Sequence, residues 1–236
     1  LKQVKLFCLP YAGGSAAAFL NWKSHLDEKI ELRPIELSGR GRRFSEPLYD
    51  SIDVAVEDIY SDICEELDQG AYAVFGHSMG TILSYELIRK IKHNKKQEPV
   101  HVFMSGRYPP YVDVEKENVY LLPDDEFLDK IVELGGTNQE VTKNKELLDL
   151  FLPILRSDYK LVETYRHEGD SKVDCDITVL NGKYDNLVIE KGVERWQEYT
   201  TNTCSFYEFE DGHFFINKFK EEVINIINNE IITRVY

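Results

Sequence analysis

Short runs of apolar residues alternate along the chain with stretches whose apolar positions recur at three- and four-residue spacing. The runs 4–9, 31–36, 72–75, 100–105, 177–181 and 205–209 predict strands. Most are nearly continuous in apolar character, as strands covered on both faces should be. Between them, 16–26 sets Phe19, Trp22 and Leu26 on one helical face. The stretch 51–67 carries Ile52, Val56, Ile59, Ile63 and Leu67 as a single stripe. Further helices are predicted at 79–91 and at 214–231, the latter with Ile224, Ile227 and Ile231 together. Strands that alternate with helices in this way predict an α/β fold, a mostly parallel central sheet flanked by helices.

The segment 107–167 breaks the alternation. It holds no strand pattern, and Pro109-Pro110, Pro123, Gly135-Gly136 and Pro153 punctuate helical pieces at 124–133 and 145–155. A connection of about 60 residues is far longer than an ordinary one. It reads as a helical lid inserted in a single domain spanning 1–236, because ligands in such sheets bind at loops on the carboxyl ends of strands. No repeat, low-complexity tract or dividing linker is visible.

Composition narrows the partners more than the fold. The 236 residues carry a net charge of −14, which argues against nucleic acid, since phosphate binding relies on Lys and Arg. No apolar run reaches the roughly 18–20 residues that span a bilayer. Residues 1–10 show no charged region followed by a long apolar one, so the expected location is cytoplasmic. Cys8, Cys64, Cys175 and Cys204 are scattered without metal-ligand spacing, and the expectation is reduced thiols, with Cys8 and Cys204 in the core.

The strand pattern at 72–75 runs straight into Gly76-His77-Ser78-Met79-Gly80, and a helical pattern starts at once. Strand, G-x-S-x-G and helix together make a nucleophile elbow, the signature of an α/β-hydrolase with Ser78 as nucleophile. A serine hydroxyl needs a base to take its proton, and the base needs an orienting acid. In this fold they follow in the order Ser, acid, His. His213, in the polar loop before the last helix, takes the place of the base. Asp185, in the turn after strand 177–181, takes that of the acid. Asp174 and Asp176 precede that strand, and Asp211 lies too close to His213 in sequence. His77 is expected to pack beside the serine, and His25, His93 and His101 to play surface or core roles. His167 ends the lid segment. The backbone N–H of Met79 is one expected oxyanion donor. Loss of a donor costs about 3–4 kcal/mol of transition-state stabilisation, and Ala12 in the small-residue loop Pro10-Tyr11-Ala12-Gly13-Gly14-Ser15 is the expected second. This loop lacks a P-loop lysine and the G-x-G-x-x-G pattern, so it does not read as a phosphate cradle.

These motifs resemble the type II thioesterases that accompany nonribosomal peptide and polyketide synthetases. The likeness runs through Leu9-Pro10-Tyr11-Ala12-Gly13-Gly14, Gly39-Arg40-Gly41-Arg42-Arg43 and Phe75-Gly76-His77-Ser78-Met79-Gly80. It continues through Leu122-Pro123-Asp124-Asp125-Glu126-Phe127, Leu134-Gly135-Gly136-Thr137, Leu152-Pro153, Leu155-Arg156-Ser157-Asp158-Tyr159, the Gly182 to Asp185 turn and Gly212-His213-Phe214-Phe215. Ser38 stands where the family usually has Pro, a change expected to affect loop rigidity. Ser157 stands where it often has Ala. The resemblance implies hydrolysis of acyl thioesters on the phosphopantetheine arm of carrier proteins, by a monomer that needs no metal and no cofactor of its own. The Arg40, Arg42 and Arg43 loop could steer an acidic carrier, or be paired internally with Glu31, Glu36 or Glu46. Residue chemistry alone leaves open an esterase, lipase or acyltransferase acting on small free esters, and an inactive binding module.

Overall fold

Period-two alternation sorts each strand's side chains between two cores. In β1 (Val4–Leu9) Phe7 and Leu9 join one apolar cluster and Leu6 and Cys8 the other. The same sorting holds in β3 (Tyr72–His77), where Val74 and Phe75 part company. The computed structural model describes residues 3–110, 117–133, 144–169, 172–188 and 192–236. Its sheet has six strands, completed by β2 (Ile30–Pro34), β4 (His101–Ser105), β5 (Asp176–Gly182) and β6 (Cys204–Phe209). The order is β2-β1-β3-β4-β5-β6, and every neighbouring pair is parallel.

The first cluster is capped by α1 (Ile52–Ile63) and α2 (Met79–His93). The second is closed by Phe19 and Trp22 and by the C-terminal helices α5 (Phe215–Lys218) and α6 (Lys220–Val235). Ile224, Ile227 and Ile231 are all fully buried there, each contributing about 1.5–3 kcal/mol of apolar burial. Between β4 and β5 the chain leaves the sheet for α3 (Asp124–Glu133) and α4 (Lys145–Thr164). Phe127, Ile131 and Leu155 form a small core of their own in this excursion.

Strand order decides where a site can form. The chain passes from β1 outward to β2 and then returns to the other side of β1 as β3. The loops that follow β1 and β3 therefore emerge side by side, at the switch point where such sheets bind ligands.

Several elements differ from the sequence expectation. Residues 16–26 form a 3-10 helix, Ala16–Trp22, capped by Ser15; it ends where the His25 and Leu26 amides both turn back to the Trp22 carbonyl. The stripe 51–67 stops as an α-helix at Ile63, and a short 3-10 turn carries Leu67. Helix α4 runs through Pro153 and on to Thr164, past the end expected at 155. Pro153 itself is exposed, as is Asp149 one turn before it, whose carbonyl can turn to water, so the lost backbone bond is a local kink and not a stop. A 3-10 helix at Val193–Tyr199, unforeseen in the sequence pattern, buries Trp196 and Tyr199 against Tyr85. All four cysteines are free; Cys8 is buried, whereas Cys204 lies half-exposed on the edge strand. The motif at 134–137 lies outside the described residues.

Candidate active site

Ser78 occupies the turn between β3 and α2 with φ 56° and ψ −113°. A non-glycine residue held there stores roughly 1–3 kcal/mol of backbone strain, so the surroundings must pin it. They do so through β4. The Ser78 amide donates to the Ser105 carbonyl at 2.8 Å. The Thr81 hydroxyl donates to the Gly76 and Ser105 carbonyls at 3.0 and 2.9 Å. Space explains the two flanking glycines. A Cβ at Gly76 would overlap the Gly80 carbonyl, and one at Gly80 would overlap the Leu9 carbonyl. The elbow thus rests directly on the end of β1, which makes Met79, the first residue of α2, a neighbour of the Ala12 loop.

Asp185 and His213 come from the loops after β5 and β6, and backbone bonds latch those loops together. The Tyr184 amide donates to the Asp211 carbonyl at 2.9 Å and the Lys183 amide to the Phe209 carbonyl at 2.8 Å. Across this latch His213 Nδ1 lies 2.6 Å from Asp185 Oδ2. The two residues are only 9% and 2% exposed. An ionised carboxylate only accepts, so Nδ1 carries the proton and Nε2 is left as the acceptor. The second carboxylate oxygen takes the Leu187 amide at 2.9 Å, which fixes the Asp185 rotamer.

The other candidates fall elsewhere. Asp174 pairs with Lys92 and Asp176 with Arg234, at the opposite ends of the strands. Asp211 caps the Gly212 amide and latches the acid loop through its carbonyl. His77 is fully buried, bonds Ser105 Oγ at 2.9 Å, and packs 5.0 Å from the His213 ring. Burial first, and then the neighbouring His213, push its pKa well below the ordinary histidine value. It stays neutral and adds no charge beneath His213. His101 is buried against Thr178, and His167 is drawn to Glu86 on α2 instead of the site.

The arginine loop follows the second of its two expected readings, internal pairing, with partners that are mostly different from those expected. Arg40 is only 3% exposed and makes a two-pronged pair with Asp158 of α4. Arg43 is bound to Glu46 and to Asp58. Of the three, Arg42 alone is exposed. Glu46 was an anticipated partner; Asp58 and Asp158 were not. Ser38 also does more than loosen a turn. Its amide donates to the Tyr49 hydroxyl at 3.0 Å and its hydroxyl to the Pro47 carbonyl at 2.6 Å; a proline could make neither bond.

In the 107–167 segment, Glu163 escaped the sequence reading and Arg156 entered it only as part of a motif. Arg156 donates to the Tyr120 and Leu122 carbonyls and to Asp124, while Glu163 accepts the Val119 and Tyr120 amides. Together they strap the chain before α3 onto α4. Among the described residues, no group of three or more His, Cys, Asp or Glu side chains is gathered to hold a metal, and no helix is long and apolar enough to cross a membrane. A groove of about 520 Å³ along β5 and β6, lined by Asn181, Lys183, Phe206 and Tyr207 among others, contains none of Ser78, Asp185 or His213.

A parallel sheet with a strained serine elbow and a His–Asp pair on the last two strand loops defines an α/β-hydrolase. The chain belongs to the thioesterase family, whose domain model matches residues 4–231. It is 35% identical to the gramicidin S biosynthesis protein GrsT of Aneurinibacillus migulanus, over 97% of this chain and 89% of that protein. It is 32% identical to the thioesterase PikA5 of Streptomyces venezuelae, over 97% and 81%. Among solved structures, ClbQ from the colibactin NRPS/PKS pathway superposes with a TM-score of 0.94 at 38% identity, covering 98% of each chain.

Proposed function

We propose that this thioesterase hydrolyses acyl groups from the phosphopantetheine arm of carrier proteins, clearing synthetase carriers that are misprimed or stalled. The observation that carries the reading is the 2.6 Å bond between His213 Nδ1 and Asp185 Oδ2, which leaves Nε2 ready to serve the strained Ser78. His213 takes the Ser78 proton as Oγ attacks the thioester carbonyl. The amides of Met79 and Ala12 hold the tetrahedral oxyanion. Collapse expels the pantetheine sulfur, which takes the proton from His213, and leaves an acyl-enzyme. Water, deprotonated by His213, then attacks the acyl carbon and releases the acid and Ser78. Protein groups carry every step, and the pantetheine arm belongs to the substrate.

The carrier as partner is supported by the likeness to ClbQ of the colibactin NRPS/PKS pathway and to the gramicidin S biosynthesis protein GrsT. The chain is taken as a single domain acting as a cytoplasmic monomer, with α3 and α4 as a lid over Ser78. Single-turnover release from an acetyl-loaded carrier, set beside acetyl-CoA and p-nitrophenyl acetate, tests the assignment. The carrier should react fastest, Ser78→Ala should abolish release, and Asp185→Asn should lower kcat by about 10⁴. Preference for the free esters would instead make the protein a small-molecule esterase. Release unaffected by Ser78→Ala would remove the triad from the chemistry.

A further inference from the structure

Asp158 is 1% exposed, and both of its carboxylate oxygens are engaged. Oδ1 accepts Arg40 Nη2 at 2.8 Å; Oδ2 accepts Arg40 Nη1 at 2.6 Å and the backbone amide of Gly13 at 2.7 Å. Arg40 Nη1 also donates to the Gly14 carbonyl at 3.0 Å. On the same side Leu155, one turn earlier in α4, packs so closely that a Cβ at Gly13 would overlap its Cδ2.

The consequence for Ala12 follows from peptide planarity. A trans peptide unit fixes its N–H opposite its C=O. The Tyr11 carbonyl accepts the Gly14 amide at 2.8 Å, which sets the Tyr11–Ala12 plane and so the direction of the Ala12 N–H. Asp158 holds the next plane through Gly13 N–H, and Arg40 holds the Gly14–Ser15 plane through its carbonyl. Three neighbouring contacts thus fix the loop, and two of them depend on the buried ion pair.

We infer that Asp158, acting with Arg40, is a positioning residue that aims the Ala12 amide at the oxyanion, so that helix α4 of the insertion is built into the oxyanion hole. A buried ion pair is a weak stabiliser, and apolar side chains fill the same space as well or better. What apolar side chains cannot do is hold the Gly13 N–H and the Gly14 C=O in place. The inference rests on the assignment of Ala12 as a donor under the proposed function.

Asp158→Asn keeps the shape but turns one acceptor into a donor facing Arg40 or Gly13. Arg40→Lys keeps the charge but loses the fork that spans Asp158 and Gly14. The readouts are kcat and KM on an acyl-carrier, the pH midpoint of kcat, and the affinity of a short alkylboronic acid, which adds to Ser78 and places an oxygen in the hole. Both variants should lose about 10- to 100-fold in kcat and in boronate affinity, with KM within about two-fold and the pH midpoint unmoved. The proposal is overturned if folded variants bind the boronate within about two-fold of the unmodified protein, or if only KM changes. Failure of both variants to fold would equally overturn it, by making the pair a stability element. The boronate measurement needs no carrier turnover, so a protein inert toward carriers would fail the functional proposal while this one was judged separately.

Discussion

His101 and His77 are buried histidines kept neutral by their surroundings, and their effect on stability has a definite sign. Burial, helped by the Arg234 charge and opposed by Asp176, lowers the His101 pKa to about 3. A histidine that binds its proton less tightly when folded stabilises the protein above its ordinary pKa of about 6.5. That stability is lost as pH falls from there toward the folded value. His101→Phe keeps a ring against Phe103, 4.6 Å away, and removes the titration. Thr178 loses its partner at every pH, so overall stability falls while its pH dependence flattens. Between pH 6 and 5 the unmodified protein should lose about 1 kcal/mol more than the variant. Urea unfolding at the two pH values measures this; equal losses would mean that folded His101 takes up its proton at ordinary pH. At this scale the Ser78 elbow and the His213–Asp185 pair were legible, because the fold's chemistry calls for those residue types in that order. Arg40 was not, since its partner lies 118 residues away and no spacing rule joins them.

Helix α4 changes character at Pro153, and the change is the element-scale lesson. Before it, Leu147, Leu150 and Phe151 are exposed; after it, Ile154, Leu155, Asp158 and Leu161 are buried. Periodicity located the helix but carried it only to 155. Tertiary packing of the second half carries it on to Thr164. The inner strands β1, β3, β4 and β5 were legible for the opposite reason: burial on both faces leaves an apolar run that survives any register. Turns and 3-10 pieces such as Val193–Tyr199 were not, since their hydrogen bonds and packing come from distant parts of the chain. The asymmetry of α4 has a measurable consequence. Amides in 145–152 lie in the half that leaves Leu147, Leu150 and Phe151 exposed and on a ladder that Pro153 breaks. They should exchange with solvent about tenfold or more faster than those in 156–164, by hydrogen–deuterium exchange resolved to peptides on either side of Pro153. Uniform protection would mean that both halves open together. The half that holds Asp158 and the Gly13 amide is the one expected to stay closed.

For the whole molecule, the arginine pairs remove what the sequence offered as a basic docking loop. The net charge is −14, Arg40 and Arg43 are spent on internal carboxylates, and a single exposed Arg42 cannot reverse so large a field. An acidic carrier, the proposed partner, would approach this enzyme as a like charge. Encounter is then slowed at low ionic strength, where the screening length is about 30 Å at 0.01 M, and eased when it shrinks to about 8 Å at 0.15 M. Across that range kcat/KM for an acyl-carrier should rise by about two- to five-fold. Turnover of an uncharged acyl-N-acetylcysteamine should stay level, because it feels no net force. Stopped-flow or quenched-flow rates on the two substrates across a salt series separate steering from any effect of salt on the triad. A carrier rate that falls with salt, and stops falling in Arg42→Glu, would show that the local charge at Arg42 outweighs the field of the whole protein. Docking would then be steered from the loop that Asp158 and Asp58 hold rigid, and that loop would serve the carrier on its outer face while aiming the oxyanion amide on its inner one.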